Sequence, residues 1–148
     1  MTLAFRELQD VNLESVVSLW KACELTRSWN DPYKDIQFAR EGATSTVLVG
    51  IFEERVVASV MVGHDGHRGV LYYLAVDPAF QKRGFGKATV AAAEAWLRER
   101  GVWKINLMVR SDNEKAGRFY ERLGFKKKPE DRLFILEQDD LSEFIKGE

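Results

Sequence analysis

Apolar residues along the chain change spacing several times, and each change marks a boundary between elements. Residues 3–6 fit a short edge strand. From Asn12, a suitable N-cap, Leu13, Val16, Val17, Trp20 and Cys23 recur at helical spacing and predict one apolar helix face. Trp29-Asn30-Asp31-Pro32 interrupts that pattern. Asp31 as N-cap and Pro32 at the first helical position start a second helix reaching Glu41, with Gly42 behind it. Residues 46–52 and 56–63 are β-branched runs joined by Glu53-Glu54-Arg55, the spacing of a hairpin. Asp65-Gly66-His67-Arg68-Gly69 turns the chain again, into an apolar strand at 70–76.

Residues 87–100 are rich in Ala, Glu, Leu and Arg and read as a helix stopped by Gly101. Residues 103–109 alternate in part and read as a strand. Asn113 can cap a helix over 114–123 closed by Gly124. Segments 125–128 and 133–136 read as a last strand pair around Pro129-Glu130-Asp131, and 139–146 as a short amphipathic helix. A strand-helix-strand unit inside a hairpin-rich chain predicts an α/β fold of the α+β kind. Its sheet is mixed, mostly antiparallel and flanked by helices, in the order β-α-α-β-β-β-α-β-α-β-β.

Composition narrows the functional classes. At 148 residues and 45% hydrophobic, the chain suits one domain over 1–148 with a real core. The net charge of −1 gives no overall basic field for nucleic acid or an anionic membrane. No apolar run approaches a bilayer span, and the N-terminus has no signal-peptide pattern. One cysteine, Cys23, leaves no internal disulfide and suits a reducing, cytoplasmic compartment. A homodimer is left open. No metal is expected.

Against that neutral background, Gln81-Lys82-Arg83-Gly84-Phe85-Gly86-Lys87 concentrates glycine and positive charge between a strand and a helix start. A helix start has unpaired N–H groups and a partial positive charge, so it attracts anions. Two common phosphate loops are excluded by residue. A P-loop ending at Gly86-Lys87 requires Gly at 81 and Ser or Thr at 88, where the chain has Gln81 and Ala88. The dinucleotide fingerprint from Gly84 requires Gly or Ala at 89, where Thr89 stands.

The pattern that fits is Q/R-x-x-G-x-G/A, and with it the chain resembles the GNAT superfamily of N-acetyltransferases. A second stretch agrees: Asn113 through Gly124-Phe125 is similar to that family's N-x-x-A-x-x-F-Y-x-x-x-G-F. The resemblance covers nearly the whole chain and implies that residues 81–87 bind the pyrophosphate of acetyl-coenzyme A. It also implies that the backbone of Leu74, Ala75 and Val76 pairs with the pantetheine, and that Asn113 and Tyr120 lie near the sulfur. Attack of an amine on a thioester expels a thiolate of pKa about 8.5, and Tyr ionises near 10, so Tyr120 is a matched general acid. Asn113 as a helix cap and Tyr120 as a packing residue are the structural alternatives.

The acceptor side is less legible. An amine near pKa 10.4 must lose a proton, and Asp65, His67 and Tyr73, with Glu53 more remote, are the candidates. Trp29, Asn30 and Asp31 belong to the segment that in the family walls the acceptor pocket, and Trp beside Asn and Asp suits a small cationic or amide-bearing acceptor. Asp31 serves equally as a helix cap. Together with residues 65–69 that segment resembles a bacterial YpeA-type subgroup. The expectation is therefore acetyl transfer from acetyl-coenzyme A to an amine in a ternary complex, with Cys23 too core-like to carry an acyl group. A module that senses acyl-coenzyme A without turnover is the alternative.

Overall fold

The computed structural model of the chain describes residues 2–136. Backbone packing divides it into two units at Met108/Val109. The first unit runs β1 (Ala4–Glu7), a 3-10 turn (Asp10–Asn12), α1 (Leu13–Ala22), α2 (Pro32–Glu41), β2 (Ser45–Phe52), β3 (Arg55–His64) and β4 (Gly69–Val76). A second 3-10 turn (Pro78–Phe80), α3 (Phe85–Glu99) and β5 (Ile105–Asn106) complete it. The five strands lie in sequence order in one sheet, antiparallel except for the parallel β4–β5 pair. This is the mixed, mostly antiparallel sheet the sequence implies. No helix among the described residues is long and apolar enough to cross a membrane.

The core lies where β3 is covered. Val57, Ala58, Ser59 and Val60 are consecutive and fully buried, so both faces of the strand are shielded from water. Val16, Val17 and Trp20 of α1, Ile36 and Ala39 of α2, and Val90, Ala93 and Leu97 of α3 supply the helical side, each set at three- and four-residue spacing. Trp20 is fully buried, and its indole N–H donates to Ser59 Oγ at 2.8 Å, which satisfies the one polar atom the ring takes inside. Gly69 lets α3 approach the sheet: a Cβ there would stand 2.6 Å from a methyl carbon of Leu97.

One irregularity shapes everything downstream. Tyr72 faces Met61 and Ala75 faces Ser59, so Tyr73 and Leu74 together oppose the single residue Val60. This β-bulge places Tyr73 at φ 53°, a backbone region that usually takes glycine. Bulges bend and twist a strand, and β5 follows β4 only at Gly69↔Ile105 and Val70↔Asn106. The strand expected over 103–109 is therefore reduced to two residues.

In the second unit α4 spans Glu114–Arg122. Its end is closed by Gly124 at φ 100° and by the N–H of Phe125 donating to Tyr120 O at 3.1 Å. The strand pair expected at 125–128 and 133–136 is not formed among the described residues. Phe125 is engaged in closing the helix, and Leu133, Phe134, Ile135 and Leu136 are exposed and in no ladder among the described residues. The helix expected over 139–146 lies outside the described residues.

Candidate functional site

The glycine-rich loop is built by its own sequence. Asp77 Oδ1 accepts the N–H of Ala79 at 2.9 Å and fixes the turn that leaves β4. Gln81 donates its side-chain amide to Val76 O at 3.1 Å and ties the loop back to the strand. Lys82 and Gly84 take left-handed φ angles of 65° and 80°, which bring the chain round to the start of α3. The first main-chain bond of that helix runs from Ala88 N to Gly84 O, leaving the N–H groups of Phe85, Gly86 and Lys87 with no partner inside it. A Cβ on Gly84 would meet nothing within 4 Å. Phe85 anchors the turn against Phe52 and Phe80, with ring centroids 5.4 and 6.1 Å away. Lys82, Arg83 and Lys87 are exposed around it. Free amides, open space and positive charge together suit a phosphate group.

The strand before the loop offers a second feature. Asp77 N donates to Val57 O, so Ala58↔Val76 is a pair without hydrogen bonds between its own residues. The N–H and C=O of Val76 consequently point away from β3, toward the side where β5 has stopped following. Alternation gives Leu74 the same direction and turns Ala75 back to β3. Val76 O accepts from Gln81 and also from the Cys23 thiol at 3.3 Å. Burial pushes the Cys23 thiol above its ordinary pKa, which keeps it protonated and weakly nucleophilic.

A cleft of about 490 Å³ opens beside β4 in the same unit. Asn30, Asp35, Phe38, Met61, Tyr72 and Tyr73 contribute to its lining. Tyr73 lies flat on Trp20, with centroids 3.8 Å apart and planes within 4°, and its hydroxyl donates to Asp35 Oδ2 at 2.6 Å. Burial first, and then that hydrogen bond to a carboxylate, push the Tyr73 phenol well above its ordinary pKa. It is a hydrogen-bond donor here, and a poor base.

The structure gathers only part of the acceptor set expected from sequence. Asn30 and Tyr73 line the cleft, whereas Trp29, 72% exposed, and Asp31 do not. Asp31 caps α2, accepting the N–H of Tyr33 at 2.9 Å and of Lys34 at 3.4 Å. Asp65 Oδ1 likewise takes the N–H groups of Arg68 and His67, at 2.7 and 2.8 Å, and these bonds lower its pKa. His67 lies in a separate hollow of about 200 Å³ with His64, Arg100 and Trp103. Glu53 sits in the β2–β3 turn at φ 51°. Asp35 is the cleft residue that sequence reasoning missed. Its signal was available: once Asp31 caps α2, Asp35 falls beside the buried Ile36 and one turn before the buried Ala39.

In the second unit Asn113 Oδ1 accepts the N–H of Ala116 at 3.1 Å and caps α4. Tyr120 packs edge-on against Phe119 and Phe125, with centroids 5.1 and 5.6 Å away. Burial pushes its phenol up to about 12. A phenol buried in this way stays protonated across the ordinary pH range and is a weaker acid than an exposed tyrosine.

Comparisons with known proteins bear on the family and the fold. Residues 13–125 match the profile of the acetyltransferase (GNAT) family, a span that crosses both units. An acetyltransferase of Yersinia enterocolitica is 42% identical over 123 residues, covering 83% of this chain and 87% of that protein. An uncharacterised N-acetyltransferase of Yersinia pestis is 41% identical over the same shares. Among solved structures, the aminoglycoside N-acetyltransferase AAC(6')-Iy, in complex with a coenzyme A bisubstrate analogue, superposes with a TM-score of 0.79. That likeness covers 93% of this chain and 99% of the other at 16% identity, and so concerns the fold.

Proposed function

The chain belongs to the acetyltransferase (GNAT) family, and from that premise we propose that it transfers the acetyl group of acetyl-coenzyme A to the amine of a small molecule or peptide. The observation that carries this reading is the start of α3. Three helix N–H groups without a helical partner face a turn in which Gly84 leaves open space, with Lys82, Arg83 and Lys87 around it. These groups suit the pyrophosphate of the coenzyme, with Gln81 holding the loop in place. Leu74 and the N–H of Val76 face the free side of β4, where an extended amide chain finds strand-like partners; Val76 O already accepts from Gln81 and Cys23. On this reading the whole chain is one acetyltransferase domain, as the family match across both units supports.

Acetyl-coenzyme A supplies the acyl group already activated as a thioester. The acceptor ammonium first releases a proton to solvent water; the neutral amine nitrogen then attacks the carbonyl carbon, the C–N bond forms, the C–S bond breaks, the nitrogen gives its second proton to water, and the sulfur leaves as thiolate. A strand N–H aimed at the carbonyl oxygen stabilises the charge that develops there. Tyr120, still protonated because its phenol ionises only near 12, donates a hydrogen bond to the departing sulfur. Cys23, protonated and bonded to Val76 O, takes no acyl group, which supports direct transfer within a ternary complex.

Calorimetry with acetyl-coenzyme A, paired with thiol release in the presence of amines, tests the reading. The wild-type chain should bind the coenzyme and release thiol only when a suitable amine is added. Gly86→Glu places a side chain and a negative charge at the helix start and should reduce binding at least 100-fold in a folded protein. Undiminished binding by that variant refutes the phosphate loop. Binding with no release across amines, amino acids and peptides indicates a sensing module.

A further inference from the structure

Among the described residues that line the cleft beside β4, one is charged. Asp35 stands among otherwise neutral lining residues, chiefly apolar ones such as Phe38, Met61, Val70 and Tyr72. Among the described residues it has no ion-pair partner within 4.0 Å. Tyr73 donates one hydrogen bond to Oδ2, and a carboxylate accepts about four, so capacity remains. Phe38 is 81% and Tyr72 44% exposed, although both border the cleft. Their apolar surface is available to cover the body of a ligand.

We propose, on the reading that the chain acetylates an amine, that this cleft selects acceptors carrying one ammonium on an apolar or aromatic body and no negative charge, with Asp35 as the specificity-determining residue. Charge balance sets this preference. A single carboxylate in an apolar cleft attracts one cation and offers nothing to a second. An acceptor bearing a carboxylate or phosphate brings a negative charge beside Asp35, with no Lys, Arg or His among the described lining residues to receive it. Amino acids and phosphorylated amino sugars are therefore disfavoured, polyamines are intermediate, and aralkyl or alkyl monoamines are preferred. Asp35 is held for this role. Its neighbours Ile36 and Ala39 are buried in the core, and the Tyr73 hydroxyl is itself fixed by the stack on Trp20. Asp31, one turn earlier, has its carboxylate bonded to the backbone of α2 and is not on the cleft.

The test uses acceptors that differ by one charge. Phenethylamine, phenylalanine and phenylalanine amide share an aromatic body, and only phenylalanine carries a carboxylate. Thiol release from acetyl-coenzyme A gives kcat and KM, and calorimetry in the presence of coenzyme A gives acceptor affinity apart from turnover. The expected result is kcat/KM at least tenfold higher for phenethylamine and phenylalanine amide than for phenylalanine. Asp35→Asn keeps an oxygen to accept the Tyr73 hydroxyl but removes the charge. It should raise phenethylamine KM about tenfold, with kcat within threefold and the KM for acetyl-coenzyme A unchanged, and Asp35→Glu should recover part of the loss. Phenylalanine used as well as phenethylamine, or an unchanged amine KM in a folded Asp35→Asn protein, overturns the proposal. Should no amine be acetylated while calorimetry still ranks these ligands in this order and in an Asp35-dependent way, the selectivity stands and the transferase reading falls. Equal affinity for all three overturns the selectivity whether or not turnover occurs.

Discussion

The loop at 81–87 and the cleft around Tyr73 belong to one unit, yet they are encoded in opposite ways. Seven consecutive residues make the loop, and its glycines, its tether Gln81 and its charges are all local. The cleft draws on the α1–α2 segment, α2, β3 and β4, and its polar centre joins Asp35 to Tyr73 across 38 positions of sequence. The loop holds few buried side chains, whereas the cleft wall continues into the core through Trp20. The lesson is that binding at the loop is separable from stability, and binding at the cleft is not. Substitutions can break or sharpen that contrast.

The largest effect should come from Trp20→Ala. The variant removes a fully buried ring, its stack on Tyr73 and its bond to Ser59, and large aromatic truncations typically cost about 3–5 kcal/mol. Urea denaturation should show a loss in that range. A loss below about 1.5 kcal/mol would mean that the cleft wall is independent of the core. Tyr120→Phe tests the other contiguous motif, and should lower kcat roughly 100-fold with coenzyme affinity and melting temperature nearly unchanged. The phenol ionises only near 12, so its contribution should persist as pH rises to 10. A loss of kcat between pH 8 and 10 that Tyr120→Phe abolishes would contradict the buried, protonated phenol. The smallest effect is expected for Asp31→Asn. Asn caps a helix about as well as Asp, and the Asp31 carboxylate faces α2 backbone, so acceptor KM and stability should both stay close to wild type. A several-fold rise in acceptor KM would return Asp31 to the binding surface.

What was legible in the sequence follows the same division. Hydrophobic period placed α1, cap residues placed α2, β-branched and apolar runs placed the β2–β3–β4 meander, and composition with a glycine stop placed α3, all of them local signals. Asp31 and Gly124 act at their helix ends as local rules require. Asn12 departs from its expected role, accepting the N–H of Gln9 at 3.0 Å across a 3-10 turn and making no side-chain bond to α1. β5 was overestimated because strand length depends on a partner, and the bulge at Tyr73–Leu74 bends that partner away. The residues expected to hold the acceptor were scattered for a related reason. Asp65 and His67 are conspicuous in a glycine-rich turn, but that turn folds on itself, whereas Asp35 is unremarkable until α2 is docked.

The bulge has one more consequence, which is a matter of phase. In a regular strand Tyr72 and Tyr73 would point to opposite faces, yet both line one cleft. The inserted residue shifts the alternation by one step, so β4 before the bulge and β4 after it keep different counts. The first half is in step with the cleft around Tyr73. The second half fixes which way Leu74 and Val76 face, and hence where the loop at Gln81 takes off. Deleting one residue at 73–74 would restore the regular alternation and turn one half of the strand over relative to the other, whatever side chains remained.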